Sequence, residues 1–228
     1  MNAATKSDKS IFSLGNLFGR LETYTLNSIM YPTKGYNHFV SLQLLGGEES
    51  FKSPNHPETN SSEIRDLWFQ LRTKYDHYYA ISPRFTLGTY GELVYSTRNF
   101  QNNYTVSLIQ APSFQPTPHS KTVFNGAYSA NQFVAVGIKP IYHITRQLQL
   151  RGEAYYFLPY LEINRANDNT AFYSPPFSSS HFMGETSLVL NLRIASAGVF
   201  MNYYSSGASK WNFGVNIGVL IFNNKFIE

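Results

Sequence analysis

The first candidates for chemistry in this sequence are its histidines and serines, because it contains no cysteine. The lack of cysteine excludes thiol catalysis, thiolate metal sites and disulfides. No histidine has a partner three or four residues away, the spacing at which two ligands share a metal on one element; they are His38, His56, His77, His119, His143 and His181. The nearest approach to a G-x-S-x-G nucleophile turn is Gly207-Ala-Ser209-Lys-Trp211, which lacks the second glycine. We therefore predict no catalytic residue, no metal site and no cofactor.

A second set of candidates consists of charged residues that recur within alternating segments. The cations are Arg72, Lys74, Lys139, Arg151 and Arg193, and the anions are Asp76, Glu92, Glu153 and Glu185. Their signs nearly balance, so in an enclosed interior they could pair across neighbouring strands and order that interior. The alternative roles are an ion-selective pore or a latch for an inward loop. Mixed signs make a poor selectivity ring, so we favour a paired, filled interior.

The elements that must position these charges show a period of two. In the clearest run, Trp211, Phe213, Val215, Ile217, Val219 and Ile221 alternate with small or polar residues. Such runs predict strands with one apolar face and one polar face. We place twelve strands, near 9–14, 18–31, 36–46, 66–81, 84–98, 103–111, 119–126, 131–144, 148–162, 181–194, 196–204 and 210–222. The stretch 111–131, interrupted by three prolines, is open between a turn, a short strand and a loop folded inward.

The connections between these runs are of two kinds. Short turns fall at 31–35, 82–84, 145–147 and 195–198, whereas the polar stretches Gly46–Arg65 and Asn164–Ser180 are long. Alternating short and long connections are typical of a transmembrane barrel. We predict an all-β fold, an antiparallel transmembrane β-barrel of about 12 strands with short periplasmic turns and long outer loops. Residues 1–17 would form an N-terminal segment that could hold a first strand, residues 18–228 the barrel, and both ends would lie on the short-turn side.

Composition supports this class. Only 14% of residues are charged while 16% are aromatic, and no apolar stretch approaches the roughly 18 residues of a membrane helix. The formal charge of +4 is dispersed, so no nucleic-acid partner is expected, and residues 1–30 do not resemble a secretory signal peptide. Aromatic residues near strand ends are expected to face outward: Trp68, Tyr78, Tyr79, Tyr155, Tyr156, Tyr160, Tyr203, Tyr204 and Trp211.

Two stretches also carry a family resemblance. Tyr31, Pro32 and Gly35 form a turn within residues 27–36, ahead of a run that ends in paired glycines at 46–47. This arrangement resembles the first periplasmic turn of barrels in the bacterial surface antigen superfamily, which includes outer-membrane assembly and two-partner secretion transporters. Residues 114–121 together with 130–137 are similar to the C-terminal barrel of outer-membrane patatin-like phospholipases. The resemblance covers roughly residues 18–145.

The resemblance implies an outer-membrane barrel of a Gram-negative cell that serves as a membrane anchor or translocation domain. Its implied partners are outer-membrane lipid, the barrel assembly machinery, and an upstream hydrolase domain or a second barrel chain. The Ser-Asp dyad of the phospholipases is missing here, so this chain is expected not to be an enzyme, although a longer parent protein could be a lipid hydrolase. The Arg-Gly pair of the transporters occurs only as Arg151-Gly152, inside a predicted strand. The alternatives are a free-standing porin or small-solute channel, and a soluble β protein with an apolar ligand.

Overall fold

The computed structural model describes residues 9–52, 63–99, 103–167, 169–192, 195–207 and 209–219, and these residues form an all-β protein. The strands are β1 (Lys9–Tyr24), β2 (Gly35–Lys52), β3 (Glu63–Ser82), β4 (Phe85–Ser96), β5 (Gln132–His143), β6 (Leu148–Pro159), β7 (Ile163–Arg165), β8 (Ala171–Tyr173), β9 (His181–Asn191), β10 (Ala195–Tyr204) and β11 (Trp211–Val219). A short helix, α1 (Tyr104–Gln110), and two single 3₁₀ turns lie between β4 and β5.

Nine of these strands form one antiparallel sheet in the order β1-β2-β3-β4-β5-β6-β9-β10-β11. Each strand pairs with the next along the chain, except that β6 pairs with β9 because the small hairpin β7-β8 occupies their connection. The all-β antiparallel prediction is confirmed. The sheet has nine strands within the described residues, however, where the sequence predicted about twelve.

Part of this difference lies in β1, which is one long strand. Gly15, which falls between the strands predicted near 9–14 and 18–31, is in the middle of the β1-β2 ladder and pairs with Gly46. Neither residue has a positive φ, so the Gly15-Asn16 pair does not reverse the chain. The predicted boundary between residues 17 and 18 therefore falls within β1.

One long strand in place of two also changes the direction of the chain. β1 begins opposite the end of β2, on the side of the sheet where β2 is connected to β3 by a long stretch. β11 ends on the other side, where the short turns lie. The first described strand therefore begins on the long-connection side, contrary to the predicted direction of the first strand; the chain ends themselves lie outside the described residues. The long connections are also shorter than predicted, because β2 continues to Lys52, β3 begins at Glu63, and Asn164–Ser180 contains most of the β7-β8 hairpin. Backbone ladder bonds do not depend on side-chain polarity, so strands extend into these polar stretches.

The two faces of the sheet differ sharply in burial. On β5, Phe133, Ala135, Lys139 and Ile141 are buried, while the alternate residues Val134, Val136 and Ile138 are 44%, 53% and 54% exposed. We call the first side the covered face and the second the open face. The alternation follows from the period of two in strands, and it confirms the predicted apolar face of β5.

The same alternation corrects four of the nine predicted outward aromatics. Tyr79, Tyr156, Tyr160 and Trp211 are exposed and Tyr203 is half-buried, but Trp68, Tyr78, Tyr155 and Tyr204 are buried. Consecutive residues in a strand point to opposite sides, so the pairs Tyr78-Tyr79 and Tyr155-Tyr156 could not both face outward.

The covered face packs against residues 103–131, which we call the inner segment. It begins with α1, whose N-terminus is capped by Asn103: the Oδ1 atom of Asn103 accepts a hydrogen bond from the Thr105 amide at 2.8 Å. Two backbone bonds close the base of the segment, from Phe114 N to Tyr128 O at 2.8 Å and from Ala130 N to Pro112 O at 3.1 Å. The strands predicted at 103–111 and 119–126 are therefore wrong, and of the three alternatives for 111–131 the inward loop is the one observed.

Candidate functional site

The inner segment is held to the centre of the sheet by an aromatic cluster. The ring of Phe114 lies 6.1 Å from that of Tyr90 on β4, 6.2 Å from that of Phe133 on β5 and 5.5 Å from that of Phe157 on β6, measured between centroids. Tyr128, further along the segment, donates a hydrogen bond to the carbonyl of Phe182 on β9 at 2.5 Å. Residues of one short segment thus contact four neighbouring strands, which indicates that the covered face curves around the segment.

Buried charges surround this cluster in pairs. Arg72 Nε donates to Glu92 Oε1 at 2.7 Å between the neighbouring strands β3 and β4. Lys139 on β5 passes over β4 and donates to both carboxylate oxygens of Asp76 on β3, each at 2.9 Å. The crossing is possible at Gly88, because a Cβ there would lie 2.9 Å from the Cβ of Lys139. Two of the predicted charges on β3 therefore have partners on other strands, as the paired-interior hypothesis requires.

The second group of charges centres on β6. The Arg151 side chain is 1% exposed, and its Nη1 atom donates to the carbonyl of Pro32 at 3.0 Å. Its Nη2 atom lies 3.5 Å from Glu153 Oε1. Glu153 stands directly opposite Glu185 in the β6-β9 register, so two like charges face each other there. Arg151 offsets this repulsion on one side, and a histidine offsets it on the other.

That histidine is His119, at the tip of the inner segment. Its Nδ1 atom lies 2.8 Å from Glu185 Oε1, and its Nε2 atom lies 3.4 Å from the Tyr31 hydroxyl and 3.2 Å from Asn216 Nδ2. The imidazole also stacks on Phe200 with a centroid distance of 3.5 Å. We call these five residues the His119 cluster. It joins the inner segment to β9, β10 and β11.

The hydrogen-bond partners define the tautomer of His119. Burial, reinforced by the Glu185 carboxylate, raises the pKa of the Tyr31 hydroxyl, which therefore keeps its proton. The amide nitrogen of Asn216 can only donate, so Nε2 accepts and Nδ1 carries the proton toward Glu185. The imidazole thus links Asn216 on β11 to Glu185 on β9. It is suited to positioning the inner segment.

The predicted turn motif supplies Tyr31 to this cluster. Gly35 has φ of +91°, and a Cβ there would overlap the backbone carbonyl of Thr25, so the turn requires glycine. Asn27 closes the loop from within, because its Oδ1 accepts from the amides of Thr33 at 2.9 Å and Lys34 at 3.1 Å. Tyr31 and Pro32 are consequently directed into the covered side, where both are buried.

The two remaining predicted cations, Lys74 and Arg193, are not part of a described ion pair. Lys74 has its Nζ atom 5.2 Å from the centroid of the Tyr90 ring, and no described carboxylate lies within ion-pair distance of it. Arg193 lies outside the described residues. His119 was not predicted from the sequence, because histidines were considered there only as metal ligands. Phe114, an apolar residue in the same proline-interrupted stretch, is the signal that could have placed this stretch, and His119 with it, inside the fold.

The described part of the chain holds no group of three His, Asp or Glu side chains placed to bind a metal ion. Ser209 lies just before β11, and its hydroxyl donates to the carbonyl of Trp211 at 3.0 Å. Among the residues described, no helix is both long enough and apolar enough to cross a membrane.

Comparison of the chain with protein-family models, with curated proteins and with solved structures gives no match. The functional argument therefore depends on the sequence and on the geometry above.

Proposed function

We propose that this chain is an outer-membrane β-barrel that anchors a partner domain, or helps to translocate one, and has no catalytic activity of its own. In this proposal the sheet closes around the inner segment, the open face meets lipid, and the short turns lie in the periplasm of a Gram-negative cell. Its partners would be outer-membrane lipid and the barrel assembly machinery, together with an upstream hydrolase domain or a second barrel chain.

The observation that carries the proposal is the inverted polarity of the sheet. The open face presents a continuous series of exposed apolar side chains, including Leu42, Leu44, Leu67, Leu93, Val134, Val136, Ile138, Leu150, Leu188, Leu190, Val199, Phe213, Val215 and Ile217. Monomeric soluble proteins rarely expose contiguous apolar patches of more than a few hundred Å². The covered face instead buries Asp76, Lys139, Arg151 and Glu185. Apolar outside and polar inside is the arrangement of a transmembrane barrel.

The filled interior favours an anchor over a channel. The inner segment, its aromatic cluster and the paired charges occupy the covered side at the level of β4 to β11. A conducting porin needs a continuous water-filled path along its axis. Planar-bilayer recording tests this part of the proposal: the anchor is expected to show little steady conductance, whereas large and steady conductance would favour the porin alternative.

A matched pair of arginine substitutions tests the membrane assignment. Val215 on β11 is 70% exposed and Ile29, in the turn after β1, is 73% exposed. If both side chains faced water, an arginine at either position would therefore have a similar effect on stability. With the open face in lipid, Val215→Arg should lower the free energy of unfolding by roughly 2 to 4 kcal/mol and Ile29→Arg by no more than about 1 kcal/mol. The measurement is denaturant unfolding of the protein folded in lipid vesicles. Equal costs at the two positions, or a protein that stays monomeric in water without detergent, would refute the proposal.

A further inference from the structure

A cavity of about 430 Å³ lies between the inner segment and the covered face of β1 to β4. Its wall contains four cations and one carboxylate: Arg20, Arg72, Lys74, Lys121 and Glu22. We call it the cationic cavity. Its volume is within the range of small-molecule sites, which is about 300 to 1,000 Å³.

Only two of the four cations on this wall form ion pairs with carboxylates of the described residues. Arg20 is paired with Glu22, and Arg72 is paired with Glu92. Lys74 and Lys121 have no carboxylate partner among the residues described. Lys74 is half-buried, and a half-buried cation without a direct ion-pair partner is costly because its surroundings replace water poorly. Lys121 is exposed, so the wall holds one half-buried and one exposed lysine that no described carboxylate contacts directly.

The neutral part of the wall can also bind a solute. Asn37, Ser113 and Gln115 line the cavity with amide and hydroxyl groups. The Oδ1 atom of Asn37 is buried and has no hydrogen-bond partner. Native proteins pair most buried polar atoms, so this orphan marks a place where a bound molecule or its water completes the hydrogen bonding.

We propose that the cationic cavity binds a small solute carrying phosphate groups. Lys74 on β3 and Lys121 in the inner segment supply the two cations without a described ion-pair partner, and Arg72, which is paired with Glu92, adds guanidinium donors to the same wall. Phosphate is the group whose charge and several acceptor oxygens match lysine and arginine donors. The site lies on the covered face, so it is independent of whether the sheet closes or enters a membrane.

The test uses inorganic pyrophosphate as the probe and the full chain in detergent, with binding followed by isothermal titration calorimetry at low salt. Wild-type protein is expected to bind pyrophosphate saturably. Lys74→Gln and Lys121→Gln should each weaken binding about tenfold, because each removes one charge a few Å from the ligand. Lys210→Gln is the matched control: Lys210 is an exposed lysine just before β11, far along the chain from the cavity, and its loss should leave binding unchanged.

A fourth variant is expected to act in the opposite direction. Glu22→Gln removes the one carboxylate among the described wall residues and should strengthen pyrophosphate binding several-fold. Circular dichroism shows whether each variant keeps its strand content. Absence of saturable binding to the wild type, or equal weakening by Lys74→Gln and Lys210→Gln in folded proteins, would overturn the site.

Discussion

The ion pair between Asp76 and Lys139 gives the strongest test of the paired interior. The Lys139 side chain is 3% exposed and the Asp76 side chain 11% exposed, so both charges are removed from bulk water. Asp76→Asn replaces the carboxylate with a neutral amide of nearly the same shape. The ammonium group of Lys139 then keeps the introduced amide oxygen and the Tyr78 hydroxyl, at 3.1 Å, as acceptors, together with the faces of nearby aromatic rings.

The expected cost follows from what Lys139 loses. It loses the carboxylate that accepts two charge-assisted hydrogen bonds of 2.9 Å, and with it the counter-charge in direct contact with its ammonium group. Breaking a buried pair by removing one partner typically costs about 3 to 5 kcal/mol. The hydroxyl of Tyr78 and the ring contacts remain, so we expect the lower end of this range, about 3 kcal/mol of unfolding free energy.

Urea unfolding in detergent micelles, followed by circular dichroism, measures this cost. The control is Glu22→Gln in the Arg20–Glu22 pair, whose arginine side chain is 54% exposed, and which should cost no more than about 1 kcal/mol. The double variant Asp76→Leu with Lys139→Met should be less harmful than Asp76→Asn, because it leaves no unpaired buried charge. A cost for Asp76→Asn equal to that for Glu22→Gln would mean that water reaches the pair and that the interior is not filled.

Two further substitutions address the inner segment and the turn that meets it. His119→Phe keeps a ring against Phe200 but removes the hydrogen-bond partner of the Glu185 carboxylate. It should lower the free energy of unfolding in urea by about 2 to 4 kcal/mol and raise bilayer conductance. Unchanged values of both would show that His119 does not hold the inner segment. Gly35→Ala should lower the free energy of unfolding by at least about 2 kcal/mol, because the backbone there has φ of +91°. Gly152→Ala is the control and should be nearly neutral, because its Cβ would lie at an ordinary 3.5 Å from the nearest neighbouring atom. Similar thermal unfolding midpoints for the two variants would contradict the strain argument.

Alternation along the sequence was sufficient to predict the apolar face of β5. Val134, Val136 and Ile138 were assigned to the apolar face from their spacing alone, and they are exposed in the structure while Ala135 and Lys139 are buried. Side-chain direction in a strand has a period of two, so a face can be predicted locally. Where adjacent aromatics such as Tyr78 and Tyr79 were both assigned outward, the prediction ignored this same rule and failed.

The pairing of charges could not be predicted at the same level. Asp76 meets Lys139 across an intervening strand because Gly88 leaves room, and Glu185 meets His119 from a segment that is not part of the sheet. These partners depend on register and on the path of the inner segment, which are set by contacts distant in sequence. The helix at Tyr104–Gln110 was missed for a related reason: seven residues are too few to show a helical period.

The odd number of strands in the described sheet restricts how its two edges can be joined. Neighbours in the sheet alternate in direction, so the first and ninth strands, β1 and β11, run the same way. A wall closed directly between them would contain one parallel seam, with slanted hydrogen bonds in place of perpendicular ones. A second copy inserted in the same orientation doubles the nine strands but does not remove the parallel pairing, because each of the two junctions again joins a β1 to a β11. Antiparallel pairing around the whole circumference requires an odd number of additional strands that each run opposite to both neighbours.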